Sequence, residues 1–328
     1  MPLRVGAAAL RFQLSQAISV GARLGIPDLL KNGAASSDEL AQKIETHAPS
    51  LYRLLRTLAA AGLLTESQDG HFALTPMGAL LRSDVPDSLY AMASYVSTKR
   101  FWNRWGDLQD RVRTGATASM NVFTERWEEN PEAADLFNRW MTEMSTRRAG
   151  AILAGYDFSG IATLVDVGGG HGRLLASILK AHPTMRGILF DLPHVIEGAE
   201  RLLEAAGVAD RCERIGSSFF ESVPRGGDAY VLSFVIHDWD DERARMILNV
   251  CRTVMGTTGR LLLIERVVSS GQEQSLRVML SDLNMLVGPG GRERTTEEFA
   301  SLLSSARFRL LRVIPLESSL NVVEGAPA

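Results

Sequence analysis

Leu164-Val-Asp-Val-Gly-Gly-Gly-His-Gly-Arg173 decides the fold of this chain. A short apolar run ends in a glycine cluster, and a helical pattern of Leu174, Leu175, Ile178 and Leu179 follows at once. Strand, tight glycine turn, helix is the opening unit of an open α/β sheet. Gly168, Gly170 and Gly172 let the backbone pass close to a bulky ligand where a side chain would collide. The spacing is G-x-G-x-G, and Arg173 stands where a dinucleotide fingerprint needs glycine or alanine. A pyrophosphate cradle fits poorly, whereas a nucleoside without phosphate fits well.

The next strand, Gly187-Ile-Leu-Phe190, runs into Asp191, which lies 25 residues after Asp166. An acidic residue at that tip can accept hydrogen bonds from both ribose hydroxyls. Beyond it, strands at Thr163–Val167, Gly187–Phe190, Arg211–Ile215, Ala229–Val235 and Leu261–Ile264 alternate with helices. This alternation predicts a mostly parallel, doubly wound sheet with helices on both faces and its ligands beyond the carboxyl ends of the strands.

Those ends carry the chemistry. The fourth strand leads into Phe234-Val-Ile-His237-Asp-Trp-Asp-Asp241. A histidine there titrates near neutral pH and can take a proton. Trp239 offers a flat face to an adenine or an aromatic substrate, and Asp240-Asp-Glu242 caps a helix beginning near Arg243. The fifth strand ends at Glu265, and the loop Gly288–Thr295 brings Glu293. A carboxylate on the far imidazole nitrogen would set the tautomer and stabilise the charged form.

Residues 1–80 read as almost wholly helical. Leu10, Leu14, Ala17, Ile18 and Gly21 recur at helical spacing, and Gly25-Ile-Pro-Asp28 breaks the pattern. Ser36-Ser-Asp-Glu39 is a capping-box start, and Ser50 is placed to cap Leu51–Ala61. Leu63–Thr65 and Phe72–Thr75 then form a hairpin around a polar turn. Helix, turn, helix and hairpin outline a winged helix, which raises DNA binding. Arg53 and Arg56 are the available cations, but Glu45, Glu66 and Asp69 flank them, and no dense basic footprint exists. A dimerisation scaffold, with the first helix and the leucine stripe as its apolar interface, is the preferred reading.

Asp84-Val-Pro-Asp87 marks a break, after which come Phe101, Trp102, Trp105, Phe123, Trp127, Phe137 and Trp140. Most are expected to pack in the core, while Phe137-Asn-Arg-Trp-Met141 is also suited to wall a planar ligand. The expected division is 1–95 for the dimerisation domain and 96–328 for the catalytic domain, with 96–160 as helical linker and pocket helices. With 35 basic and 38 acidic residues the formal charge is -3, so no broad nucleic-acid-binding field is expected. Cys212 and Cys251 are too few for a disulfide framework, Arg11 and Arg23 interrupt any signal-peptide core, and no window suits a membrane span. A cytoplasmic protein is expected, with no membrane partner.

The whole chain resembles the class I, S-adenosylmethionine-dependent small-molecule O-methyltransferases. It is most similar to the family of plant caffeic acid and flavonoid O-methyltransferases, hydroxyindole O-methyltransferase and bacterial antibiotic-tailoring enzymes. The matching pieces are Val165–Gly170, Phe190-Asp-Leu-Pro-His-Val195, His237-Asp-Trp-Asp240, Glu265, Asp282-Leu-Asn-Met-Leu286, Gly290-Gly-Arg-Glu-Arg-Thr295 and Leu51–Leu64. The resemblance implies a Rossmann-like class I fold with an all-helical, winged-helix-like dimerisation domain, and a homodimer. It implies that Gly168 and Gly170 approach the methionine part of S-adenosyl-L-methionine, that Asp191 and Leu192 meet its ribose, and that Trp239 flanks its adenine. His237 matches the general base, bracketed by Glu265 and Glu293. Met141, Asp238, Asn284 and Met285 fall at positions that line the acceptor pocket, and no metal is implied.

Two positions depart from the family pattern. Ser218-Phe219 replaces the Asp-Met of plant members at the adenine pocket, and Ser233 replaces a lysine four residues before the histidine. The implied reaction is methyl transfer to a hydroxyl of a small aromatic metabolite. A NAD-dependent oxidoreductase and a metabolite-sensing winged-helix regulator are the alternatives; the glycine spacing counts against the first and the charge balance against the second.

Overall fold

The computed structural model describes residues 10–86, 88–116, 131–269 and 275–328. Phe123 and Trp127 lie outside them. Two compact units divide the chain: Met1–Asn103 with Arg126–Glu143, and Arg104–Glu125 with Met144–Ala328.

In the first unit, α1 (Arg11–Arg23) ends one residue before Leu24, and Gly25 turns the chain at φ 69. Next come β1 (Ala35–Ser36), α2 (Ser37–Lys43), α3 (Ala48–Ala60), β2 (Leu64–Glu66) and β3 (His71–Leu74). The expected capping box forms: Ser36 accepts from Glu39 N–H while the Glu39 carboxylate accepts from Ser36 N–H. Ser50 does not cap α3. His47 occupies that position, because Pro49 sits in the first turn, where a missing N–H costs nothing.

The hairpin of β2 and β3 is extended by β1 into a three-stranded sheet in the order β1-β3-β2. The unit is therefore not all helical, since two residues before α2 were too short a run to read as a strand. Leu51, Leu55 and Leu58 of α3 are buried with Ile26, Leu40 and Phe72. This stripe builds the unit's own core and is not the interface expected of it. Exposed apolar side chains lie instead on and beside α1: Leu10, Phe12, Leu14, Val20 and Trp102. Tyr95, at the end of α4 (Tyr90–Tyr95), gathers Phe101, Phe137 and Trp140 around its ring at 5.3–5.7 Å.

In the second unit, the carboxyl-terminal half of α5 (Pro131–Gly155) precedes a seven-stranded sheet. Its parallel strands are β4 (Thr163–Val167), β5 (Arg186–Asp191), β6 (Cys212–Gly216), β7 (Ala229–Ser233) and β8 (Arg260–Glu265). Helices α6 (Arg173–Ala181), α7 (Asp241–Val254), α8 (Leu276–Val287) and α9 (Thr296–Ser305) connect them or follow. Asp240 caps α7 by accepting from Arg243 N–H, as the sequence indicates.

Successive strand residues serve opposite faces. Leu164, Leu189, Val231 and Leu262 pack on one side; Val165, Phe190, Leu232 and Leu263 pack on the other. Helices cover both sides, so these strands read as continuous apolar runs. Each fully buried leucine contributes about 2 kcal/mol.

Two further strand pairs complete the unit. The short β9 (Val267–Val268) and β10 (Arg294–Thr295) pair with each other. Antiparallel β11 (Phe308–Pro315) and β12 (Asn321–Pro327) close the sheet edge against β8. The strand order is β11-β12-β8-β7-β4-β5-β6. From β4 the chain builds outward through β5 and β6, then returns to start β7 on the other flank. The crevice at the carboxyl ends of β4 and β7 is thus the topological switch point, where open α/β sheets bind ligands.

Candidate active site

Both loops bordering that crevice are shaped by local backbone constraints. After β4, the Gly168 and Gly169 N–H groups donate to Phe190 O at 2.8 and 3.3 Å. Gly168 has φ 72 and Gly170 φ 59, conformations open to glycine at little cost. A Cβ on Gly170 would meet nothing within 4 Å, which leaves open space beside the turn. Asp191 reaches across from β5. Its two oxygens accept from Gly170 N–H at 2.8 Å and Leu192 N–H at 2.7 Å, keeping lone pairs for a further donor. Burial pushes its pKa up, and both oxygens of the neighbouring buried Asp166 lack hydrogen-bond partners.

After β7, the strand stops at Ser233 and not at Val235. Phe234 adopts φ 56, and Ile236–Asp238 forms a single 3₁₀ turn. His237 therefore rides on a turn beyond the strand, not on the strand itself. Four residues hold that turn. Glu265, at the end of β8, accepts from Ile236 N–H at 2.9 Å and His237 N–H at 3.3 Å. Arg292 N–H donates to His237 O at 2.9 Å. Arg294, fully buried, donates to Ile236 O at 3.1 Å and Trp239 O at 2.8 Å and pairs with Asp241 at 2.7 Å. Gly291 lies so close that a Cβ there would stand 2.1 Å from His237 O. Pairing of β10 with β9 is what brings residues 291–294 to the end of β8.

The imidazole is buried and flanked by acids. Nδ1 lies 3.1 Å from Glu293 Oε1 and 3.8 Å from Glu265 Oε2. Nε2 faces Asp238 Oδ1 at 3.5 Å. Glu293 Oε1 also accepts from Ser281 Oγ at 2.6 Å, and Ser281 accepts from Arg266 Nη1 at 2.9 Å. Burial disfavours the imidazolium, but Glu265, Asp238 and Glu293 together outweigh it and raise the pKa to about 9. Burial pushes Glu265 up to about 7 and Asp238 up to about 6. Glu293 is held below its usual range despite burial, because His237, Ser281 and Arg266 favour its charged form.

Donor atoms of His237, Glu265 and Glu293 all lie within 4.8 Å of one another, a spacing that could hold a cation. Arg266 Nη1 at 3.7 Å from Glu293 already supplies positive charge there, and Nδ1 is engaged with the same carboxylate. Among the described residues, Glu265 Oε2 and Glu293 Oε2 are buried without a hydrogen-bond partner.

Trp239 stands edge-on to Phe219 at 6.0 Å and Phe220 at 4.8 Å, an aromatic wall beside the turn. Ser218, Ser233, Leu192 and Asn284 are half-buried, and Met285 is buried on α8. Met141 belongs to the first unit, on the aromatic stretch of α5. Sequence reasoning missed Ser281, Arg266, Gly291 and Arg294. For Gly291 and Arg294 the signal was available in Gly290-Gly-Arg-Glu-Arg-Thr295, which flanks Glu293 with glycine and arginine.

A doubly wound sheet with a glycine turn, an acidic residue on the next strand and a buried His–Glu pair defines a class I methyltransferase. The O-methyltransferase domain family matches residues 105–309, and the O-methyltransferase dimerisation domain family matches residues 8–84. Phenazine O-methyltransferase of Lysobacter antibioticus is 42% identical over 320 residues, covering 96% of this chain and 93% of that one. The solved mitomycin 7-O-methyltransferase superposes with a TM-score of 0.91 at 37% identity, over 100% and 98% of the two chains. A neocarzinostatin-pathway O-methyltransferase, solved with S-adenosylmethionine and 2-hydroxy-5-methyl naphthoic acid, gives 0.81 at 32% identity over 96% of each.

The chain belongs to the S-adenosylmethionine-dependent O-methyltransferases of the plant and bacterial secondary-metabolism group, and its cofactor is S-adenosyl-L-methionine. The oxidoreductase and regulator alternatives give way to methyl transfer. The residues present fit that cofactor. The open space at Gly170, the half-buried Asp191 and the Phe219–Phe220–Trp239 wall suit an aminoacyl chain, a ribose and an adenine respectively.

Proposed function

We propose that this enzyme methylates a hydroxyl on a small aromatic acceptor, with His237 as the proton acceptor. The observation that carries this reading is the buried imidazole, tied through Nδ1 to Glu293 and presenting Nε2 away from it. The names of similar proteins support an aromatic acceptor: phenazine and mitomycin O-methyltransferases, and a 3-amino-4-hydroxybenzoate 4-O-methyltransferase.

In the proposed scheme Gly168, Gly170, Asp191, Leu192, Ser218, Phe219, Ser233 and Trp239 hold the cofactor. Asp238, Asn284 and Met285 line the acceptor side. When bound, the cofactor supplies a methyl on a positively charged sulfur, whose charge disperses as the methyl leaves. His237 Nε2 takes the proton of the acceptor O–H as the new C–O bond forms, and Glu293 and Glu265 stabilise the resulting imidazolium. A phenol titrates near 10, as tyrosine does, so it arrives protonated at neutral pH. Because the His237 pKa lies near 9, the resting imidazole is itself mostly protonated at pH 7. One proton must leave the acceptor–imidazole pair before transfer. Rates should therefore climb with pH.

The chain is further proposed to divide at 95/96 and to work as a cytoplasmic homodimer through its first unit. The dimerisation-domain match and the exposed Leu10, Phe12, Leu14 and Val20 support the dimer, and the two buried thiols suit a reducing compartment. Nucleic acid is not expected as a partner, since Arg56 is engaged by Glu66 at 3.9 Å and by the Tyr52 ring. Among the described residues no helix is long and apolar enough to cross a membrane.

The test is turnover of S-adenosylmethionine with hydroxylated phenazines, naphthols and benzoates, by the wild type and His237→Ala. Methyl ethers formed by the wild type, with a ~10²–10⁴-fold lower kcat in the variant, are the expected result. Equal turnover by both would remove His237 from the chemistry.

A further inference from the structure

Arg148 lies on the second half of α5, in the same unit as the catalytic turn. Its guanidinium carbon stands 3.4 Å from the centre of the Phe234 ring, and Phe234 meets the His237 ring edge-on at 5.1 Å. These two distances keep the guanidinium within about 8.5 Å of the imidazole centre. Arg266 approaches the same ring at 5.0 Å, but it hydrogen-bonds Ser281 and lies 3.7 Å from Glu293. Arg148 has no such anion: among the described residues it makes no hydrogen bond or ion pair.

A half-buried cation with no anion in hydrogen-bond or ion-pair contact, attracted by Glu265 only from a distance, is incompletely compensated. Stacking on an aromatic face returns only about 2 kcal/mol when desolvated, against several kcal/mol lost in leaving water. Burial and the like charge of Arg266 outweigh the attraction of Glu265 and hold the group below its ordinary range. The arrangement is one in which an incoming anion supplies the missing partner, and a guanidinium binds a carboxylate in a planar, two-pronged fashion.

We propose that Arg148 anchors an anionic group of the methyl acceptor, so that the preferred acceptors are hydroxylated aromatic acids, not neutral phenols. This rests on the acceptor reading given above. A hydroxyl on His237 Nε2 and a carboxylate on Arg148 are spanned by one ring or two fused rings. The methionine carboxylate of the cofactor has the same chemistry. The acceptor is favoured because the shared Phe234 ring ties Arg148 to the imidazole.

The experiment compares a hydroxynaphthoic acid with the corresponding naphthol, using the full-length wild type, Arg148→Gln and Arg148→Lys. The wild type should prefer the acid about tenfold or more in kcat/KM, mainly through KM. Arg148→Gln should erase that preference, and Arg148→Lys should restore part of it. No preference in the wild type overturns the proposal, as does an equal loss on both acceptors in Arg148→Gln, which is what a packing role on Phe234 would give. A raised S-adenosylmethionine Kd with the preference intact assigns Arg148 to the cofactor and also overturns it. Should neither compound be methylated, the acceptor reading fails on its own. Calorimetric binding of the hydroxynaphthoate in the presence of S-adenosylhomocysteine then still decides, with equal affinity for wild type and Arg148→Gln counting against the anion site.

Discussion

Replacing Glu293 by Gln isolates the electrostatic part of the His237 environment. The amide keeps an oxygen for Nδ1–H and for Ser281 Oγ–H, which now reach Glu293 Oε1 at 3.1 and 2.6 Å, but removes the charge. A hydrogen bond between ionised partners contributes roughly 1.5–3 kcal/mol, and one pKa unit corresponds to about 1.36 kcal/mol. Loss of the charged bond should therefore lower the imidazole pKa, now raised to about 9, by roughly 1–2 units. Glu265 and Asp238 keep it from falling further. The sign follows from the roles: activity needs the deprotonated imidazole, so the rising limb of the pH profile should move to lower pH. The assay is kcat/KM for a phenolic acceptor from pH 6 to 10, a quantity that reports ionisations of the free enzyme. The wild type should gain about tenfold per pH unit until near 9, and the variant should level off one to two units earlier with a lower plateau, because a weaker base drives transfer less. A thermal melt confirms folding. A rising limb that stays in place, or moves up, refutes the claim that Glu293 sets the protonation of His237.

Other outcomes follow from particular contacts. Gly291→Ala should abolish turnover while Gly170→Ala raises mainly the cofactor Kd, by titration calorimetry: the first Cβ collides with His237 O, whereas the second enters open space beside the glycine turn. Asp166→Asn should stabilise the fold at pH 8 and not at pH 4, measured by thermal unfolding. Burial raises the Asp166 pKa from 3.8 to about 7, so the stability it lends is full below 3.8 and is lost as pH rises through 7. Melts in which wild type and variant keep a constant offset across this range would refute the assignment. Val20→Glu, on the exposed apolar face of α1, should shift the enzyme from dimer to monomer in light scattering, and a retained dimer would move the interface elsewhere.

Strands β4, β5, β7 and β8 were legible because they are buried on both faces and so appear as apolar runs between glycine turns and helices. Thr163–Val167 was read to the residue. The end of β7 was misplaced by two residues, since Val235 and Ile236 extend the apolar pattern while Phe234 breaks the strand through a positive φ that composition does not reveal. Strands β11 and β12 went unread because Phe308–Pro315 exposes much of its length and so lacks the continuous buried run of the central strands. The leucine stripe of α3 was read correctly as apolar but assigned to the wrong partner. Periodicity reports which face avoids water, not whether that face meets its own domain or a second subunit.

The same limit governs the site. His237, Glu265 and Glu293 could be picked out individually from strand ends, yet what gives the triad its chemistry is how the fold divides the work among acids of one type. Glu265 spends one oxygen on the backbone N–H groups of Ile236 and His237, so its first effect is to place the turn. Glu293, held by Ser281 and Arg266, spends its oxygen on Nδ1 and so sets the charge of the ring. Burial pushes Asp238, on the Nε2 side at 3.5 Å, up to about 6 and Glu265 up to about 7, and Asp238 is the one of these two that faces Nε2, where the acceptor displaces water. Protonation of Asp238 on acceptor binding would lower the imidazole pKa toward neutrality where a base is needed. Asp238→Asn should then reproduce the downward shift of Glu293→Gln in kcat/KM, yet leave the inflection in kcat, which reports the occupied enzyme, close to that of the wild type. An Asp238→Asn shift of equal size in both parameters would show that Asp238 stays charged when the acceptor binds.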